Sequence, residues 1–438
     1  MQERETWSSK LGFILACIGA AIGLGNIWMF PWRLGAYGGA AFLIPYLFFV
    51  LVLGTTGLME EFSFGRSKKK GAIGAFEDVY KDKGLNFGDK LGIIPVLGVT
   101  GVFIFYSIVV GWILKYFTLT LTNSFESIES IPAYFGTFVG TPNTILWHLI
   151  GILLTVIIVS FGIKEGIEKV NKVMMPILFG ILVILLFRSL TLPGAKAGIK
   201  FLLLPDWSKL SDPITWIMAL GQSFFTVSLG GAAMLVYGSY LKEDVDIPSS
   251  AFNTVLFNTI SSFLAAFVII PATFAFGLDP QAGPPLLFIT VPTIFKSMPG
   301  GYFFGALFFL SVVFAALSSA INLIEVPVEA LIERFSLSRK KSVFIVGFLA
   351  FLIGLPLDLN MNIFGLFADT VTVYLIPIGA VLAAITFFWV YGVDNARNEI
   401  NKGAEKPLGI WWEPFAKYIF TGVAIIVLVL GIIYGGIG

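Results

Sequence analysis

The chain is dominated by runs of apolar residues that are long enough to cross a lipid bilayer. At about 20 apolar residues per crossing, the sequence predicts eleven spans, over residues 11–36, 40–65, 91–121, 144–161, 166–190, 213–240, 248–277, 300–334, 342–357, 361–392 and 409–435. Because 57% of the residues are hydrophobic and only 13% are charged, an ordinary soluble domain is excluded. The predicted fold class is an all-α polytopic membrane protein, with a single transmembrane domain over residues 1–438.

Charge and cysteine content narrow the possible partners. The formal net charge is +1, so there is no basic surplus that would indicate nucleic-acid binding, and the lipid bilayer is the expected surrounding. The single cysteine, Cys17, excludes an internal disulfide framework, and its apolar neighbours indicate a packing role. The polar N-terminus precedes the first span without an A-x-A-type cleavage site, so no removable signal peptide is predicted.

The distribution of basic residues predicts the orientation. An odd number of spans places the termini on opposite sides of the bilayer, and basic residues concentrate in cytoplasmic segments. With the N-terminus inside, about twenty of the 28 basic residues fall on the cytoplasmic side. We therefore expect a multi-pass protein of the cell's inner (plasma) membrane, with the N-terminus cytoplasmic and the C-terminus outside.

Two spans contain residues that interrupt helices. Residues 19–35 read GAAIGLGNIWMFPWRLG, which predicts a break at Ala21–Gly25, and the sixth span contains SFFTVSLGGAAMLVYGSY with Gly230 and Gly231 after Ser228. An unpaired backbone group in hydrocarbon costs several kcal/mol, so a break persists only where protein or ligand supplies partners. The two breaks therefore predict a binding site near the middle of the membrane.

The breaks occupy comparable places in two sets of five spans. This pattern predicts two inverted five-helix repeats, over 11–190 and 213–392, with an eleventh helix at 409–435. Helix N-termini favour a carboxylate and freed carbonyls favour cations or an ammonium group, so a zwitterionic amino acid suits both. The alternative is that the glycines only allow close helix packing, which does not explain the polar Asn26 and Thr226 nearby.

Five sequence blocks resemble the neurotransmitter:sodium symporters, a family that includes the bacterial leucine transporter. The blocks are WSSKLGFILACIGAAIGLGNIWMFP, GQSFFTVSLG, LLFITVPTIF, FAALSSAINLIEVPVEALIE and FFWVYGVDNARNEIN, and they follow the family's order over nearly the whole chain. The resemblance implies the inverted-repeat transporter fold. It also implies sodium-coupled uptake of an amino acid by alternating access.

Two sodium sites are implied by the positions that match the family. The first would use the carbonyl of Ala21 and the side chains of Asn26, Thr226 and Asn258, completed by the substrate carboxylate; the second would use the carbonyls of Gly19, Ile22 and Ala315 and the hydroxyls of Ser318 and Ser319. All-oxygen sets of this kind suit a hard cation. Without the resemblance, the two serines would be interpreted as hydroxyls that bond back to the preceding helical turn.

The resemblance also implies a substrate pocket. Its residues would be Ala21, Gly23, Leu24, Gly25, Val102, Tyr106, Phe225, Thr226, Ser228, Gly231, Ser318 and Asn322. The substrate carboxylate would meet the N–H groups of Leu24 and Gly25 and the Tyr106 hydroxyl. Monoamine carriers of this family place an aspartate where this chain has Gly23, which argues for a substrate that keeps its own carboxylate.

Gly231 carries the prediction of substrate size. The leucine transporter has a phenylalanine that presses on the ligand at this position, so a glycine is expected to leave room for a larger apolar side chain. We therefore expect tyrosine, tryptophan or phenylalanine rather than glycine or alanine. Branched aliphatic amino acids remain an alternative.

A chloride site is expected in addition to sodium. Chloride-independent bacterial members of the family carry a carboxylate in the seventh helix, whereas this chain has Ser262 there and no Asp or Glu between residues 247 and 278. The residues that coordinate chloride elsewhere in the family resemble five residues of this chain, Tyr46, Gln222, Thr226, Asn258 and Ser262. These side chains offer hydroxyl and amide donors suited to an anion.

The resemblance assigns gates on both sides of the site. At the outer side this chain has Met29 where the family has an arginine, so Arg33, one turn further out, is expected to pair with Asp369 under the aromatic lid Phe225. Snorkelling of either charge to water is the alternative. At the inner side the matching gate residues are Arg4, Glu333, Trp7, Ser239 and Tyr240.

The fifth span is expected to bend or unwind. It begins GIEKVNKVMMP, with Gly166 and Pro176 as a hinge, because glycine weakens a helix and proline removes one of its hydrogen bonds. Unwinding would let water reach the second sodium site, whereas a static kink is the alternative. Glu61 is expected to cap freed backbone at the break in the sixth span, since a buried carboxylate needs such donors.

Other functional classes fit the sequence less well. The one histidine, His148, lies in a span with few polar residues, and neither H-E-x-x-H nor G-x-S-x-G occurs, which argues against an intramembrane enzyme. A channel or a non-transporting amino-acid sensor with the same fold would show the same binding residues. A functional monomer is expected, and a homodimer through the last helices remains open.

Overall fold

The structure is a computed structural model that describes residues 5–281 and 283–437. Every regular element in these residues is a helix. The expected gate residue Arg4 lies outside the described residues.

The membrane helices follow the predicted spans with shifts of up to three residues at their ends, except that the tenth runs nine residues further than predicted, to Asn401. In chain order they are Lys10–Ala21 with Gly25–Ala36 (first span), Ala40–Lys68 (second), Gly88–Leu121 (third), Pro142–Ser160 (fourth), Ile163–Leu190 (fifth), Pro213–Thr226 with Ala233–Ser239 (sixth), Ile247–Ala275 (seventh), Gly301–Phe335 (eighth), Arg339–Leu359 (ninth), Met361–Asn401 (tenth) and Trp412–Tyr434 (eleventh).

The count of helices that are long enough to cross a membrane differs from the eleven predicted spans, because one predicted span is divided into two short helices. Within the described residues, nine helices are each long and apolar enough to cross a membrane, and the two halves of the first span, bent by 51°, together make a tenth. The halves of the sixth span are 14 and 7 residues long, so neither could cross by itself. The difference arises because the second break removes six residues, Val227–Ala232, from the helix.

Four helices of eight to ten residues in the connections were not predicted. They are Ala72–Lys81, Ile131–Phe138, Ala195–Leu203 and Thr290–Ser297. The first of them lies between the second and third spans and is joined to the end of the eighth span by an ion pair of 2.7 Å between Glu77 and Arg334. At these lengths none of the four helices could cross a membrane.

The eighth span lies at the centre of the molecule. It is the most buried of the apolar helices and packs along the third span, whereas the fourth and eleventh spans are among the least buried. Both halves of the broken first and sixth spans are largely buried as well. The breaks are therefore held inside protein, as the cost of unpaired backbone in lipid requires.

Candidate functional site

The first break frees carbonyl groups at the end of Lys10–Ala21. The Ala20 carbonyl accepts from the Ser228 hydroxyl at 3.1 Å and from the Ser319 hydroxyl at 3.3 Å. The Ile22 carbonyl accepts from Ser319 at 3.4 Å. The break thus meets the sixth and eighth spans, and its partners are neutral hydroxyl groups.

Backbone N–H groups are freed on the other side of the same break. The Gly23 N–H donates to Asn26 Oδ1 at 3.1 Å, and the Leu24 N–H donates to the Tyr106 hydroxyl at 3.4 Å. The second of these bonds is long, which indicates a weak interaction. Freed N–H groups beside a tyrosine hydroxyl form a suitable receptor for a carboxylate.

Glycines allow the chain to pass through this crowded point. A Cβ atom at Gly23 would lie 2.5 Å from Ser319 Oγ and 3.1 Å from the Tyr106 hydroxyl. A Cβ atom at Gly25 would lie 2.9 Å from the Phe225 ring. Position 23 therefore has no room for an aspartate side chain, and the Phe225 ring lies close to Gly25.

The residues of the first expected sodium site come together. The Asn26 amide nitrogen donates to Asn258 Oδ1 at 2.7 Å, and the Asn258 amide nitrogen donates to the Thr226 hydroxyl at 3.2 Å. Asn258 Oδ1 also lies 3.0 Å from the Thr226 carbonyl oxygen and 3.3 Å from the Ala21 carbonyl oxygen. Three acceptor oxygens that face one another need either a cation between them or rotation of the amide, which would turn its nitrogen towards both carbonyls.

The residues of the second expected sodium site are also neighbours. Ser319 reaches the Ile22 carbonyl, as described above. The Cβ atom of Ser318 lies 3.2 Å from the point that a Cβ on Gly19 would occupy, and its hydroxyl donates to the Ala315 carbonyl at 3.0 Å. Ser318 and Ser319 thus lie beside the first span, and the Ser318 hydroxyl bonds back to its own helix, the alternative stated for it from the sequence.

The second break is closed by a single carboxylate. Glu61 is buried and accepts from the N–H groups of Gly230, Gly231, Met234 and Leu235 at 3.0, 2.8, 3.1 and 3.2 Å. The predicted cap is confirmed. These donors belong to the break and to the start of Ala233–Ser239, where a negative charge is favoured.

Gly231 does not open space in the pocket, contrary to the argument made from its sequence. Its backbone has φ +78°, which a side chain disfavours, and a Cβ atom there would clash with the carbonyl oxygen of Gly379 in the tenth span. The space is taken because the tenth span approaches the break closely. The prediction of a large substrate therefore needs other support.

Residues that are expected to bind chloride also lie close together. The Tyr46 hydroxyl is buried and faces the hydroxyls of Ser262 and Thr226. The Asn26 amide nitrogen donates to the Ser262 hydroxyl at 2.8 Å. The Gln222 amide nitrogen, by contrast, donates a hydrogen bond to the Gly25 carbonyl at 3.1 Å.

The remaining residues expected in the pocket lie on the third and eighth spans, which both contact the first break. Val102 and Tyr106 are one turn apart on the third span and share a face. Asn322 shares a face of the eighth span with Ser318 and Ser319. It is buried, and its Oδ1 atom has no hydrogen-bond partner among the described residues.

The expected outer gate is not formed as predicted. Arg33 is buried, and its guanidinium donates to the carbonyl of Ile437 and lies 5.4 Å from the Trp32 ring centroid. Asp369 is exposed, and no ion pair joins it to Arg33 in the described part of the chain. Arg33 therefore bonds to the Ile437 carbonyl, near the end of the chain, instead of to the predicted Asp369 carboxylate.

The opposite end of the site, predicted to be cytoplasmic, is closed around Trp7. Trp7 is buried, donates to the Tyr237 carbonyl at 3.1 Å and packs on the Tyr240 ring. Tyr240 donates to Glu325 at 2.7 Å, and Glu325 forms an ion pair with Arg339. Glu333 accepts from the Gly71 N–H at 2.9 Å.

Sequence reasoning missed several polar residues inside the bundle. Glu325 and Arg339 were missed at the Trp7 end, although a buried acid within a span is itself a signal of function. His148 is bonded to Asp358 at 2.6 Å and to Ser107 at 3.0 Å, with all three side chains buried. This cluster joins the third, fourth and ninth spans behind Tyr106, and the partners of the lone histidine could not be read from spacing.

The expected hinge in the fifth span begins with a widened turn. Residues Ile163–Glu168 form a π-helical turn before the α-helix Lys169–Leu190, which contains Pro176. Glu168 accepts from the Ser8 N–H at 2.7 Å, so the N-terminal segment is fastened to this turn. Gly166 lies against the Ile158 carbonyl, where a side chain would not fit.

Comparison with known proteins places the chain in one family over almost its full length. The model of the "Sodium:neurotransmitter symporter family" matches residues 4–130 and 135–435. An uncharacterised sodium-dependent transporter of Bacillus subtilis, YhdH, is 38% identical over 99% of this chain and 98% of its own length. Another from Methanocaldococcus jannaschii is 36% identical over 97% of this chain and 89% of its own.

A solved structure shows the same fold. The crystal structure of MhsT in complex with L-phenylalanine aligns with a TM-score of 0.88 at 36% identity, over 98% of this chain and 100% of that chain. This similarity confirms the predicted inverted-repeat, leucine-transporter-like fold class. More distant relatives include the sodium- and chloride-dependent taurine transporter of Homo sapiens, 29% identical over 95% of this chain and 75% of its own length.

Proposed function

The chain belongs to the sodium:neurotransmitter symporter family, and from that premise we propose that it carries a hydrophobic L-amino acid into the cell, coupled to sodium. Membership already makes it a membrane transporter rather than an enzyme. The substrate class, the number of ions and the direction are parts of the proposal.

The oxygen cluster at the first break carries the proposal. The Asn258 carboxamide lies 3.0 and 3.3 Å from the Thr226 and Ala21 carbonyl oxygens, beside N–H groups of Gly23 and Leu24 that bond only to side chains among the described residues. A sodium ion among the oxygens and a substrate carboxylate on the N–H groups would satisfy both sets. The carboxylate would also neutralise the ion, so each ligand would raise the affinity of the other by the same factor.

A second sodium ion would lie between the first and eighth spans. Gly19, Ile22 and Ala315 would supply carbonyl oxygens, and Ser318 and Ser319 would supply hydroxyls. The inward sodium gradient and the membrane potential would drive uptake, and the potential contributes about 2.3 kcal/mol per charge per 100 mV. Rocking of one group of helices against the rest would then alternate access to the site.

An aromatic substrate with a hydrogen-bond donor suits the pocket best. Asn322 contributes a buried carboxamide whose oxygen has no partner among the described residues. An unsatisfied buried acceptor costs about 1–3 kcal/mol, which the hydroxyl of tyrosine or the indole N–H of tryptophan would recover. Phenylalanine, the ligand named for MhsT, would fit without that bond, and branched aliphatic amino acids are the second candidate.

Chloride is proposed as an additional ion. Tyr46, Thr226 and Ser262 direct hydroxyl groups to one buried region, and the seventh span contains no carboxylate that could replace the anion. The sodium- and chloride-dependent taurine transporters among the relatives support this proposal. Uptake that is unchanged when chloride is replaced by gluconate would contradict it.

Flux measurements test the transport proposal. Purified protein in proteoliposomes would be given labelled tyrosine, tryptophan or phenylalanine with an inward sodium gradient, or with sodium replaced by potassium. We expect accumulation that needs sodium and is lost in Asn26→Ala. Binding without accumulation would identify a sensor, and no binding of any of the three would overturn the substrate class.

The orientation and assembly remain part of the same proposal. We propose that the protein acts in the plasma membrane as a monomer, with the Trp7 end cytoplasmic and the C-terminus outside. Cysteine-labelling from each side of right-side-out vesicles tests this orientation.

A further inference from the structure

Asn171 is a buried polar residue whose role the family's ion sites do not explain. It lies in the fifth span between Gly166 and Pro176 and is completely buried. In the part of the chain that the structure describes, its carboxamide oxygen has no hydrogen-bond partner. Leaving such an acceptor without a partner is unfavourable, so we expect the oxygen to bind a ligand.

A hydrogen bond fixes which end of the carboxamide faces inward. The Asn171 nitrogen donates to the Ile167 carbonyl one turn earlier, at 2.8 Å. This bond requires the nitrogen to point along the fifth span, so the other terminal atom is the oxygen. The assignment of oxygen and nitrogen is therefore set by a neighbour and is not arbitrary.

The free oxygen points at the first span. A Cβ atom on Gly19 would overlap Asn171 Oδ1, and the Cβ of Ser318 lies 3.2 Å from the same point. Gly19 and Ser318 are two of the five residues assigned to the second sodium site. Asn171 therefore brings one more oxygen to that site, from a helix that contributes none of the other ligands.

We propose that Asn171 is a further ligand of the second sodium ion, acting directly or through one water molecule. This inference rests on the proposed function. Carbonyl and hydroxyl oxygens suit a hard cation, and the amide oxygen adds a stronger acceptor than a hydroxyl to the set.

Because of its location, Asn171 would also couple sodium binding to the opening of the fifth span. It lies between the hinge residues Gly166 and Pro176, directly after the widened turn Ile163–Glu168. Unwinding of this segment would withdraw the oxygen from the ion, so opening of the fifth span and weakening of sodium binding would be one event. The ion, when bound, would in turn hold the segment closed.

Binding of ²²Na⁺ to the purified full-length protein tests the inference. The first site needs the substrate carboxylate, so measurement without amino acid reports the second site. We expect Asn171→Ala to weaken sodium binding about tenfold, equal to about 1.4 kcal/mol. We expect Asn171→Asp to retain or strengthen it, because aspartate keeps the oxygen and adds a negative charge.

The aspartate variant separates a ligand from a structural residue. Aspartate cannot donate to the Ile167 carbonyl, so if Asn171 served only that bond, Asn171→Asp would lose sodium binding as much as Asn171→Ala. That result would overturn the inference, as would sodium binding of Asn171→Ala equal to that of the unmodified protein. Retained binding of labelled phenylalanine at saturating sodium checks that each variant is folded; if the alanine variant is not, the aspartate result decides.

Asn253 provides a matched control. It lies in the seventh span, and its nitrogen donates to the Ser249 carbonyl one turn earlier at 2.8 Å, the same bond that Asn171 makes. We expect Asn253→Ala to bind ²²Na⁺ as the unmodified protein does, and an equal loss in this variant would count against the inference. Failure of the unmodified protein to bind ²²Na⁺ would instead contradict the proposed function.

Discussion

The breaks in the first and sixth spans contact each other, but their backbone groups are satisfied in opposite ways. At the sixth-span break, four N–H groups bond to Glu61, a charged group built into the protein. At the first-span break, the Ala20 and Ile22 carbonyls have only serine hydroxyls as side-chain partners among the described residues, at 3.1–3.4 Å. One break is closed by a charged side chain of the protein, and at the other we propose that ligands complete the bonding.

This difference explains how a transporter can hold two unwound segments in a membrane. Bonds to a charged acceptor are stronger than bonds between neutral groups, so Glu61 stabilises its break without a ligand. The weaker bonds at the first break can be exchanged for bonds to an ion or a carboxylate at little cost. The sixth-span break is thus expected to support the site, and the first-span break to bind.

Removing the charge at the closed break is expected to have the largest effect. Glu61→Gln leaves one acceptor oxygen for four N–H groups, and each buried donor left without a partner costs about 1–3 kcal/mol. We expect the variant to bind no labelled amino acid at any sodium concentration. Scintillation binding on the purified protein measures this.

The neighbouring Glu60 supplies the control for that variant. Glu60 is also buried, but its Oε1 atom has no hydrogen-bond partner among the described residues. Because no such bonds are lost, Glu60→Gln is expected to keep amino-acid binding. Equal loss in both variants would show that any change of charge in the second span is harmful, and the special role of Glu61 would be wrong.

A change at the open break is expected to be smaller and reversible by sodium. Asn258→Ala removes the carboxamide beside the Ala21 and Thr226 carbonyls, so the sodium concentration for half-maximal amino-acid binding should rise about tenfold, or about 1.4 kcal/mol. Sodium titration of binding measures the shift. If excess sodium rescued Glu61→Gln and not Asn258→Ala, the contrast between the two breaks would be reversed.

The close approach of the tenth span at Gly231 gives a third prediction, on stability. Gly231→Ala adds a Cβ where φ is +78° and the Gly379 carbonyl is in the way, so we expect a loss of about 1–3 kcal/mol. Thermal unfolding in detergent measures the loss. At Gly230 a Cβ would lie 3.4 Å from Ile376, an ordinary contact, so Gly230→Ala is the matched control and should unfold near the unmodified protein.

The sequence predicted the features that depend on local pattern. Apolar runs gave the spans to within a few residues at most ends, and glycines in the first and sixth spans marked both breaks. Glu61 was predicted as a cap because a buried acid needs donors.

Features that depend on how helices approach each other were not predicted. Gly231 was interpreted as open space because its φ and the position of Gly379 are tertiary properties. The predicted partner of Arg33, Asp369, was wrong for the same reason. The observed partner, Ile437, is distant in sequence and comes next to Arg33 only through folding. The ion and substrate residues stay predictions, and the experiments on Asn26, Asn258 and Asn171 address them directly.

The smallest expected effect separates substrates and leaves the breaks intact. Asn322 lies on the same face of the eighth span as Ser318 and Ser319, and Ser319 bonds to the open break. Among the described residues, Asn322 itself forms no hydrogen bond with either break. Asn322→Ala removes the unpaired amide oxygen, so affinity for tyrosine and tryptophan should fall several-fold, by about 1 kcal/mol, whereas affinity for phenylalanine and leucine should change little. Competition against labelled phenylalanine at saturating sodium gives the four affinities in one assay, with phenylalanine as the internal control. An equal fall for all four would mean that Asn322 shapes the pocket as a whole, and the preference for a side chain with a hydrogen-bond donor would have to be abandoned.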